Sequence, residues 1–199
     1  MEIHLHADPS CPFTWVVASW LRQATAATGD ELVVRPLSLG VVNEGNDDVP
    51  EVYARAHRSA RRALRVMEAV RTSAGDDVAT RLFFELAGRF HRDGDDTFAG
   101  IADALAAVGA PAEALAAADD PAADAPLVEG VELAGRLIDD SPGSPIVSFP
   151  EQGRAFWGPI LQSVPDRDTS VELLGAVATL ARIPAFGQVK GPIGDLEVA

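Results

Sequence analysis

The stretch HADPSCPFTWVV, residues 6 to 17, determines how the fold of this chain begins. It overlaps EIHLHA (2–7), in which apolar and polar residues alternate as they do in a β-strand. From Phe13 onward, apolar residues recur at positions 13, 16, 17, 20, 21 and 24, with the spacing of an amphipathic helix. Pro12 suits the first helical position, so the single cysteine, Cys11, is predicted to cap the helix.

The two ends of the chain carry the remaining strand signals. Gly29 is predicted to end the first helix, and LVVRPLSL (32–39) indicates a second strand. The order strand, helix, strand is typical of a parallel βαβ unit. Near the carboxyl end, PIVSF (145–149) and RAFW (154–157) flank a turn at 151–153 and predict a β-hairpin. The strands therefore predict an α/β fold.

The middle of the chain predicts helices. Helical periodicity marks five segments: 51–71, 77–92, 97–108, 111–118 and 127–138. Asp76, Asp96 and Thr97 are candidate helix caps, and 117–126 is predicted to be a loop. TSVE at 169–172 matches a capping box and predicts the start of a last helix.

These segments suggest a division of the chain into three parts. We predict a discontinuous α/β domain, a helical insertion and a tail, with these ranges: 1–42 and 141–185, 43–140, and 186–199. A chain of 199 residues is long enough for one domain with a full apolar core.

Charge and cysteine content narrow the classes of function. A net charge of −14 repels nucleic acid and anionic lipid, so we expect neither as a partner. A single cysteine allows no internal disulfide and fits a reducing compartment. The first residues do not resemble a signal peptide, and no run of 18 apolar residues occurs. The sequence thus predicts a soluble, cytoplasmic protein.

Cys11 is the first candidate for chemistry. The positive end of a helix dipole stabilises an anion by roughly 0.3–1 kcal/mol, so a thiolate is expected to form more easily there. Thr14 lies on the same turn and can donate its hydroxyl to the sulfur. The alternative is an inert, buried cysteine. Pro145 is the second candidate, because Gly143-Ser144-Pro145 after a loop permits a cis peptide bond.

Four stretches carry a resemblance to a known family: DPSCPFTW (8–15), PLSLGVVNEGNDDVPEVY (36–53), RFHRDG (89–94) and SPIVSFPEQGRAFWGPIL (144–161). The chain resembles the DsbA-like branch of the thioredoxin superfamily. Within that branch it is similar to the actinobacterial mycothiol-dependent oxidoreductases, also known as nitroreductases. The resemblance implies a thioredoxin-like fold with an all-helical insertion.

The resemblance also implies roles for particular residues. Cys11 would be the attacking thiol, Pro145 the cis-proline facing it, and Phe13 the variable aromatic position of the motif. The residues expected to contact substrate or a thiol are Phe13, Trp15, Asn43, Tyr53 and Ser144. Phe13 and Trp15 would form an apolar wall, and Asn43 would offer an amide donor. The alternative for Asn43 is that it only satisfies its own turn.

The chain departs from the family pattern C-x-x-C, because Thr14 stands where the second cysteine is expected. An internal disulfide cycle is therefore excluded for the chain alone. We predict a monothiol oxidoreductase with mycothiol or glutathione as co-substrate and no tightly bound cofactor. Its expected partners are that small thiol and a small-molecule or mixed-disulfide substrate, with a homodimer left open.

Two other functions stay open. The turn Cys-Pro-Phe-Thr also resembles the Ser-Pro-Tyr-Ser turn of kappa-class glutathione transferases and 2-hydroxychromene-2-carboxylate isomerases, which activate a bound thiol. A non-catalytic thioredoxin fold that binds a ligand in the same groove is the third hypothesis.

The remaining polar residues suggest less. His4 and His6 share a strand face but lack further ligands at metal spacing, so no metal site is predicted. His91 suits a helix C-terminus as a partly charged imidazole, and His57 is given no role. Six arginines in 51–71 are interpreted as a solvated helix face that pairs with acidic neighbours, rather than as an anion-steering flank.

Overall fold

Four strands form one mixed sheet in the computed structural model, which describes residues 1–189, 191–192, 194 and 196–197. The strands are β1 (Glu2–Ala7), β2 (Glu31–Pro36), β3 (Ile146–Phe149) and β4 (Arg154–Trp157). Their order is β2-β1-β3-β4. β1 pairs with β2 in parallel and with β3 in antiparallel orientation, and β3 and β4 form an antiparallel pair. Both the parallel unit and the hairpin are confirmed.

Seven α-helices accompany the sheet in this part of the chain: α1 (Pro12–Thr28), α2 (Leu39–Val42), α3 (Glu51–Ala74), α4 (Asp76–His91), α5 (Ile101–Val108), α6 (Ala125–Ile138) and α7 (Arg167–Ala181). Pro12 begins α1 and Gly29 ends it in the left-handed conformation, as predicted. β2 ends at Pro36 instead of 39, because Ser38 caps α2 by accepting a hydrogen bond from the Val41 N–H.

The segment 111–126 differs from its prediction. Residues Ala112–Asp119 and Pro121–Asp124 form 3₁₀ helices, and α6 already begins at Ala125. Asp120 caps the second of these helices, since its side chain accepts a hydrogen bond from the Ala122 N–H. The predicted loop at 117–126 is therefore wrong. A local side-chain acceptor organises an alanine-rich stretch whose composition alone suggested little order.

The predicted caps of three helices also differ. α7 begins at Arg167, because Asp166 accepts from the Thr169 N–H at 2.9 Å and replaces Thr169 as the cap. α4 is capped by Gly75, and Asp76 is its first residue.

α5 begins at Ile101 and not at 97, so Asp96 and Thr97 do not cap it. The Asp95 carboxylate accepts from the N–H groups of Ala99 and Gly100, both at 2.9 Å, and these bonds hold the preceding residues in a turn.

One apolar core joins the sheet to the helices. Ile3 and Leu5 of β1 belong to the same buried cluster as Leu64 of α3 and Phe83 of α4. Trp20 of α1 is fully buried, and its indole N–H donates to the Ser170 carbonyl of α7 at 3.0 Å. The division into an α/β domain at 1–42 and 141–185 and an insertion at 43–140 stays a prediction.

The predicted tail at 186–199 falls partly outside the described residues. Its first residue, Phe186, lies edge-on to Phe156 with ring centroids 5.6 Å apart, and its carbonyl accepts from Arg154 at 2.6 Å. Among the described helices, none has the length and apolar content needed to cross a membrane.

Candidate functional site

The site is built around Cys11, the N-cap residue of α1. A backbone hydrogen bond from the Cys11 N–H to the Asp8 carbonyl, 3.2 Å long, turns the chain from β1 into the helix. The thiol is buried, with 8% of the residue exposed, and donates to the Ser144 carbonyl at 3.4 Å. The Ser144–Pro145 bond is cis. The structure thus brings Cys11 to the loop that the sequence singled out.

Thr14 and Ser144 form a hydroxyl pair next to the sulfur. The Thr14 Oγ1 lies 2.6 Å from the Ser144 Oγ, and Ser144 Oγ accepts the Asp8 N–H at 2.9 Å. The Thr14 hydroxyl also lowers the pKa of the Cys11 thiol, and so favours the thiolate. A hydroxyl has one proton to donate, so when Thr14 donates to the sulfur, Ser144 must donate to Thr14. Thr14 therefore supports Cys11 from the position where a second thiol was expected.

The ionisation of Cys11 differs from the expectation. Burial raises the pKa of the Cys11 thiol, and the negative charge of Asp8 adds to that effect. The Thr14 hydroxyl and the backbone N–H groups of Thr14 and Phe13 lower the pKa by a smaller amount. The prediction that the helix terminus would favour the thiolate is wrong in its net sign, because desolvation exceeds the effect of the helix end.

Asp8 lies three positions before Cys11 in the sequence and is fully buried. Its Oδ1 accepts from the backbone N–H and the hydroxyl of Ser10, at 2.9 and 2.6 Å, and its Oδ2 accepts from the Leu39 N–H at 2.8 Å. Burial raises the pKa of Asp8 more than these hydrogen bonds lower it. Our sequence analysis missed this residue. The signal was an acidic residue immediately after an apolar strand, three positions before the cysteine.

His57, which was given no role, interacts electrostatically with Asp8. Burial lowers the pKa of the imidazole, and the Asp8 charge opposes that effect. Its Nδ1 is buried and has no hydrogen-bond partner among the described residues. No signal in the sequence connects the two residues, because they are brought together only by the packing of α2 and α3.

Phe13 and Trp15, which were predicted to form an apolar wall together, differ in their exposure to solvent. Trp15 is 4% exposed and stacks on His91 of α4, with ring centroids 5.8 Å apart. The guanidinium carbon of Arg92 lies 5.5 Å from the Trp15 ring centroid. Phe13 is half-buried. Trp15 thus packs α1 against α4, and of the two predicted wall residues Phe13 is the more accessible.

His91 is neutral at physiological pH. Its Nε2 lies 3.0 Å from the Pro9 carbonyl and donates to it, and burial lowers the pKa of His91 to about 4. The expectation of a partly charged imidazole at the helix end is wrong, because desolvation outweighs the helix dipole.

Asn43 lines a polar cleft of about 380 Å³ between α2 and α3, whose other lining residues include Glu44, His57, Arg58 and Arg61. The Asn43 side-chain amide donates to the Leu39 carbonyl at 2.9 Å, which is the turn-satisfying role named as the alternative.

Tyr53 is 56% exposed on α3 and is not among the lining residues of that cleft. A second cleft, of about 390 Å³, is apolar and lies between β4, α7 and the segment at 186–189. Cys11 lines neither of these clefts.

The histidines of β1 have local partners. His4 contacts the Glu2 carboxylate, and His6 Nε2 lies 3.1 Å from the Ser148 Oγ. Burial lowers the pKa of His6 to about 4. Across the part of the chain that the structure describes, no three His, Cys, Asp or Glu side chains are grouped so that they could hold a metal ion.

The arginines of α3 pair with acidic neighbours, which confirms the interpretation of that helix face. The pairs are Arg55–Asp96, Arg58–Glu51, Arg61–Asp124, Arg62–Asp119, Arg65–Asp124 and Arg71–Glu68. Arg61 also lies 3.5 Å from Glu44 in the polar cleft.

The solved structures that resemble this chain share its architecture. The cytosolic disulfide reductase DsbM from Pseudomonas aeruginosa matches with a TM-score of 0.61 at 15% identity, over 90% of this chain and 100% of that one. A complex of DsbM with GSH matches equally well. A 2-hydroxychromene-2-carboxylate isomerase matches with a TM-score of 0.64 at 15% identity, over 92% of this chain and 97% of the other.

These similarities and the topology define the class: a thioredoxin-like fold with an all-helical insertion, as in DsbA-like proteins. In this chain Cys11 stands at the start of α1, and the cis-proline directly precedes β3.

The family can be stated more narrowly. The model of the Rv2466c-like family, described as mycothiol-dependent nitroreductase Rv2466c, matches residues 10–191. The chain belongs to this family, and the resemblance inferred from the sequence is confirmed.

Proposed function

We propose that the protein is a thiol oxidoreductase that uses Cys11 as its single nucleophile and a low-molecular-weight thiol, mycothiol or glutathione, as co-substrate. The observation that carries the proposal is the position of the Cys11 sulfur, 3.4 Å from the Ser144 carbonyl beside the cis-proline, in a member of a family described as mycothiol-dependent. Thr14 in place of a second cysteine means that the resolving thiol comes from outside the chain.

The reaction proceeds through one mixed disulfide. Cys11 loses its proton, and the thiolate attacks one sulfur of a disulfide RSSR′, forming Cys11–S–S–R and releasing R′S⁻, which takes up a proton. The thiolate of the external thiol R″SH then attacks the R sulfur, forms R″SSR and releases Cys11 as a thiolate. The sum is RSSR′ + R″SH → R″SSR + R′SH, with no other oxidant or reductant required.

The neighbours of the sulfur have distinct tasks in these steps. The Thr14 hydroxyl and the N–H groups of Phe13 and Thr14 stabilise the thiolate, both when it attacks and when it leaves. The half-buried Phe13 offers an apolar surface to the substrate, while Trp15 holds α1 against α4. Contacts of Asn43, Tyr53 and Ser144 with the external thiol are part of the proposal.

A second function is favoured by one observation, the hydroxyl pair of Thr14 and Ser144. Two hydroxyls 2.6 Å apart can hydrogen-bond the sulfur of a bound thiol and direct it to an electrophile, as in a transferase or isomerase. In that reaction Cys11 is not the nucleophile.

The two functions are separated by Cys11→Ser. Turnover of a mixed disulfide of mycothiol, followed by the release of the second thiol, is expected to vanish in this variant, because a hydroxyl does not exchange with a disulfide. The matched control is the double variant Cys11→Ser/Ser10→Cys, which restores a thiol to the same turn but not to the helix N-cap. Retention of thiol-dependent conjugation or isomerisation in Cys11→Ser would replace the first proposal with the second.

The proposal includes a cytoplasmic location, because a reducing compartment keeps a single thiol available for exchange. It also includes the absence of a tightly bound cofactor, since the external thiol supplies the electrons. A homodimer stays a prediction that only the oligomeric state in solution can test.

A further inference from the structure

Asp8 is a buried carboxyl that the proposed reaction does not use, although it connects three parts of the site. It is fully buried and accepts hydrogen bonds from Ser10 in the cysteine turn and from the Leu39 N–H at the start of α2. Its own N–H donates to the Ser144 Oγ in the cis-proline loop. A change in the charge of Asp8 therefore alters its hydrogen bonds with the segments that enclose Cys11.

The charged and titratable groups around Asp8 come from three helices. Cys11 faces it from α1, and the Asp8 charge acts on the thiol. His57 of α3 exerts the largest charge effect on Asp8. His91 of α4 reaches the adjacent Pro9 carbonyl and is neutral above a pH of about 4. The cleft that His57 lines also contains Glu44, Asp47, Glu51, Arg58 and Arg61.

The position of His57 makes it a fitting partner. Its backbone carbonyl lies only 3.0 Å from where a Cβ at Gly40 would stand, so α3 packs closely on α2 at this residue. α2 is the helix whose first N–H binds Asp8. The His57 Nδ1 is buried without a hydrogen-bond partner among the described residues, so this nitrogen is available to hold or release a proton.

We propose that Asp8 is a positioning residue that controls the reactivity of Cys11. In its ionised form it disfavours the Cys11 thiolate, and protonation of the carboxyl or of its partner His57 favours the thiolate. This inference rests on the proposed function only in that it concerns the same nucleophile.

The physical basis is the repulsion of two negative charges in a region from which water is excluded. Such repulsion is much stronger than in water, because the effective dielectric constant is lower. Burial holds the pKa of Asp8 above its usual range. Groups that interact this strongly titrate as a coupled pair.

The test is the rate at which iodoacetamide alkylates Cys11 between about pH 4.5 and 9.5, read by mass spectrometry. For an isolated thiol, the rate rises tenfold per pH unit below its pKa. For the wild type we expect a flatter interval where Asp8 titrates, because each ionised carboxyl makes the thiolate harder to form. Asp8→Asn should give a straight line and a rate about threefold to tenfold higher at about pH 9.

The controls separate charge from structure. Asp103→Asn removes one charge from the exposed surface of α5 and should reproduce the wild-type profile. A purely structural Asp8 would change the urea midpoint in Asp8→Asn and leave the shape of the alkylation profile unchanged, and that result would overturn the proposal.

If Asp8→Asn does not fold, the alkylation profile of the wild type tests the proposal. A wild-type profile without a flatter interval overturns the proposal. In protein labelled with ¹³C at aspartate carboxyls, the Asp8 titration should move to higher pH in His57→Gln, because the cationic partner is lost, and an unchanged titration likewise overturns it. Failure of the proposed function is distinguishable, since disulfide turnover would be absent while both Asp8 effects persist.

Discussion

Thr14 occupies the position from which a second thiol would close a disulfide with Cys11. Its hydroxyl is buried, lowers the pKa of the Cys11 thiol and lies 2.6 Å from the Ser144 Oγ. The side chain is therefore directed toward the nucleophile and is held there on two sides. At the scale of the residue, Thr14 occupies the second position of the two-cysteine motif. Its hydroxyl can form hydrogen bonds there but cannot take part in disulfide exchange.

This geometry predicts the outcome of Thr14→Cys. Cys11 and Thr14 both contact Ser144 from the same helical turn, so oxidation should close an internal disulfide with loss of two hydrogens. Intact-mass measurement before and after treatment with an oxidised thiol checks this, with Thr14→Ser as the control that retains a free Cys11. An oxidised variant that carries only an external adduct would show that the side chains at 11 and 14 do not meet.

The sequence was informative about Cys11, Thr14 and Pro145 because a turn motif is local. It was not informative about Asp8 and His57, since their interaction depends on how α2 packs on α3. The direction of the Cys11 pKa shift could not be predicted from the sequence either. Position at a helix end can be inferred from Pro12, whereas burial is a property of the assembled fold.

At the scale of elements, α3 is fixed to the segment before α6 through one carboxylate. Asp124 accepts from both Arg61 and Arg65, at distances between 2.6 and 3.0 Å, and its side chain is 19% exposed. Asp119 makes a similar contact with Arg62 but is 77% exposed. The two aspartates therefore differ both in burial and in the number of arginine side chains that they bind.

We expect Asp124→Asn to lower the free energy of unfolding by about 1–2 kcal/mol, because two half-buried guanidinium groups lose their shared partner. Asp119→Asn should lower it far less, because solvent screens that pair. Urea denaturation of both variants measures the difference. Equal losses would mean that the Asp124 cluster contributes no more than a surface ion pair.

Elements with strong periodicity were predictable, and elements set by one polar side chain were not. The first strand and α1 follow from alternation and from Pro12. The 3₁₀ helices at 112–124 and the start of α7 depend on Asp120 and Asp166, which accept backbone hydrogen bonds that periodicity does not show. The short α2 escaped prediction for the same reason, because Ser38 caps it at the end of an apolar run.

For the whole molecule, one buried and one half-buried imidazole make stability depend on pH. Burial lowers the pKa of both His6 and His91 to about 4, from 6.5. A group whose pKa is depressed on folding stabilises the protein above its unfolded pKa, and that contribution is lost as pH falls toward the folded value. The protein should therefore lose stability between pH 6.5 and 4, by an amount on the order of 2–3 kcal/mol for each histidine.

His6→Gln provides the measurement, because glutamine can keep a hydrogen bond to Ser148 without titrating. Urea midpoints at pH 7 and pH 5 should differ less in this variant than in the wild type. His4→Gln, on the same face of the strand but less buried, serves as the control. A wild-type pH dependence that persists unchanged in His6→Gln would assign the acid sensitivity to other groups.

The overall architecture was within reach of the sequence because strands at both ends and helices between them leave few arrangements of the sheet. The shared core was not, since Leu64 and Phe83 of the middle segment pack with the β1 residues Ile3 and Leu5 only in three dimensions.

The most direct test of the central claim is the intact mass of the protein after incubation with mycothiol disulfide at about pH 9, followed by addition of reduced mycothiol. We predict one mycothiol adduct on Cys11, absent from Cys11→Ser, that disappears when the reduced thiol is added. A protein that forms no adduct, or an adduct that the thiol does not release, would contradict nucleophilic exchange at Cys11.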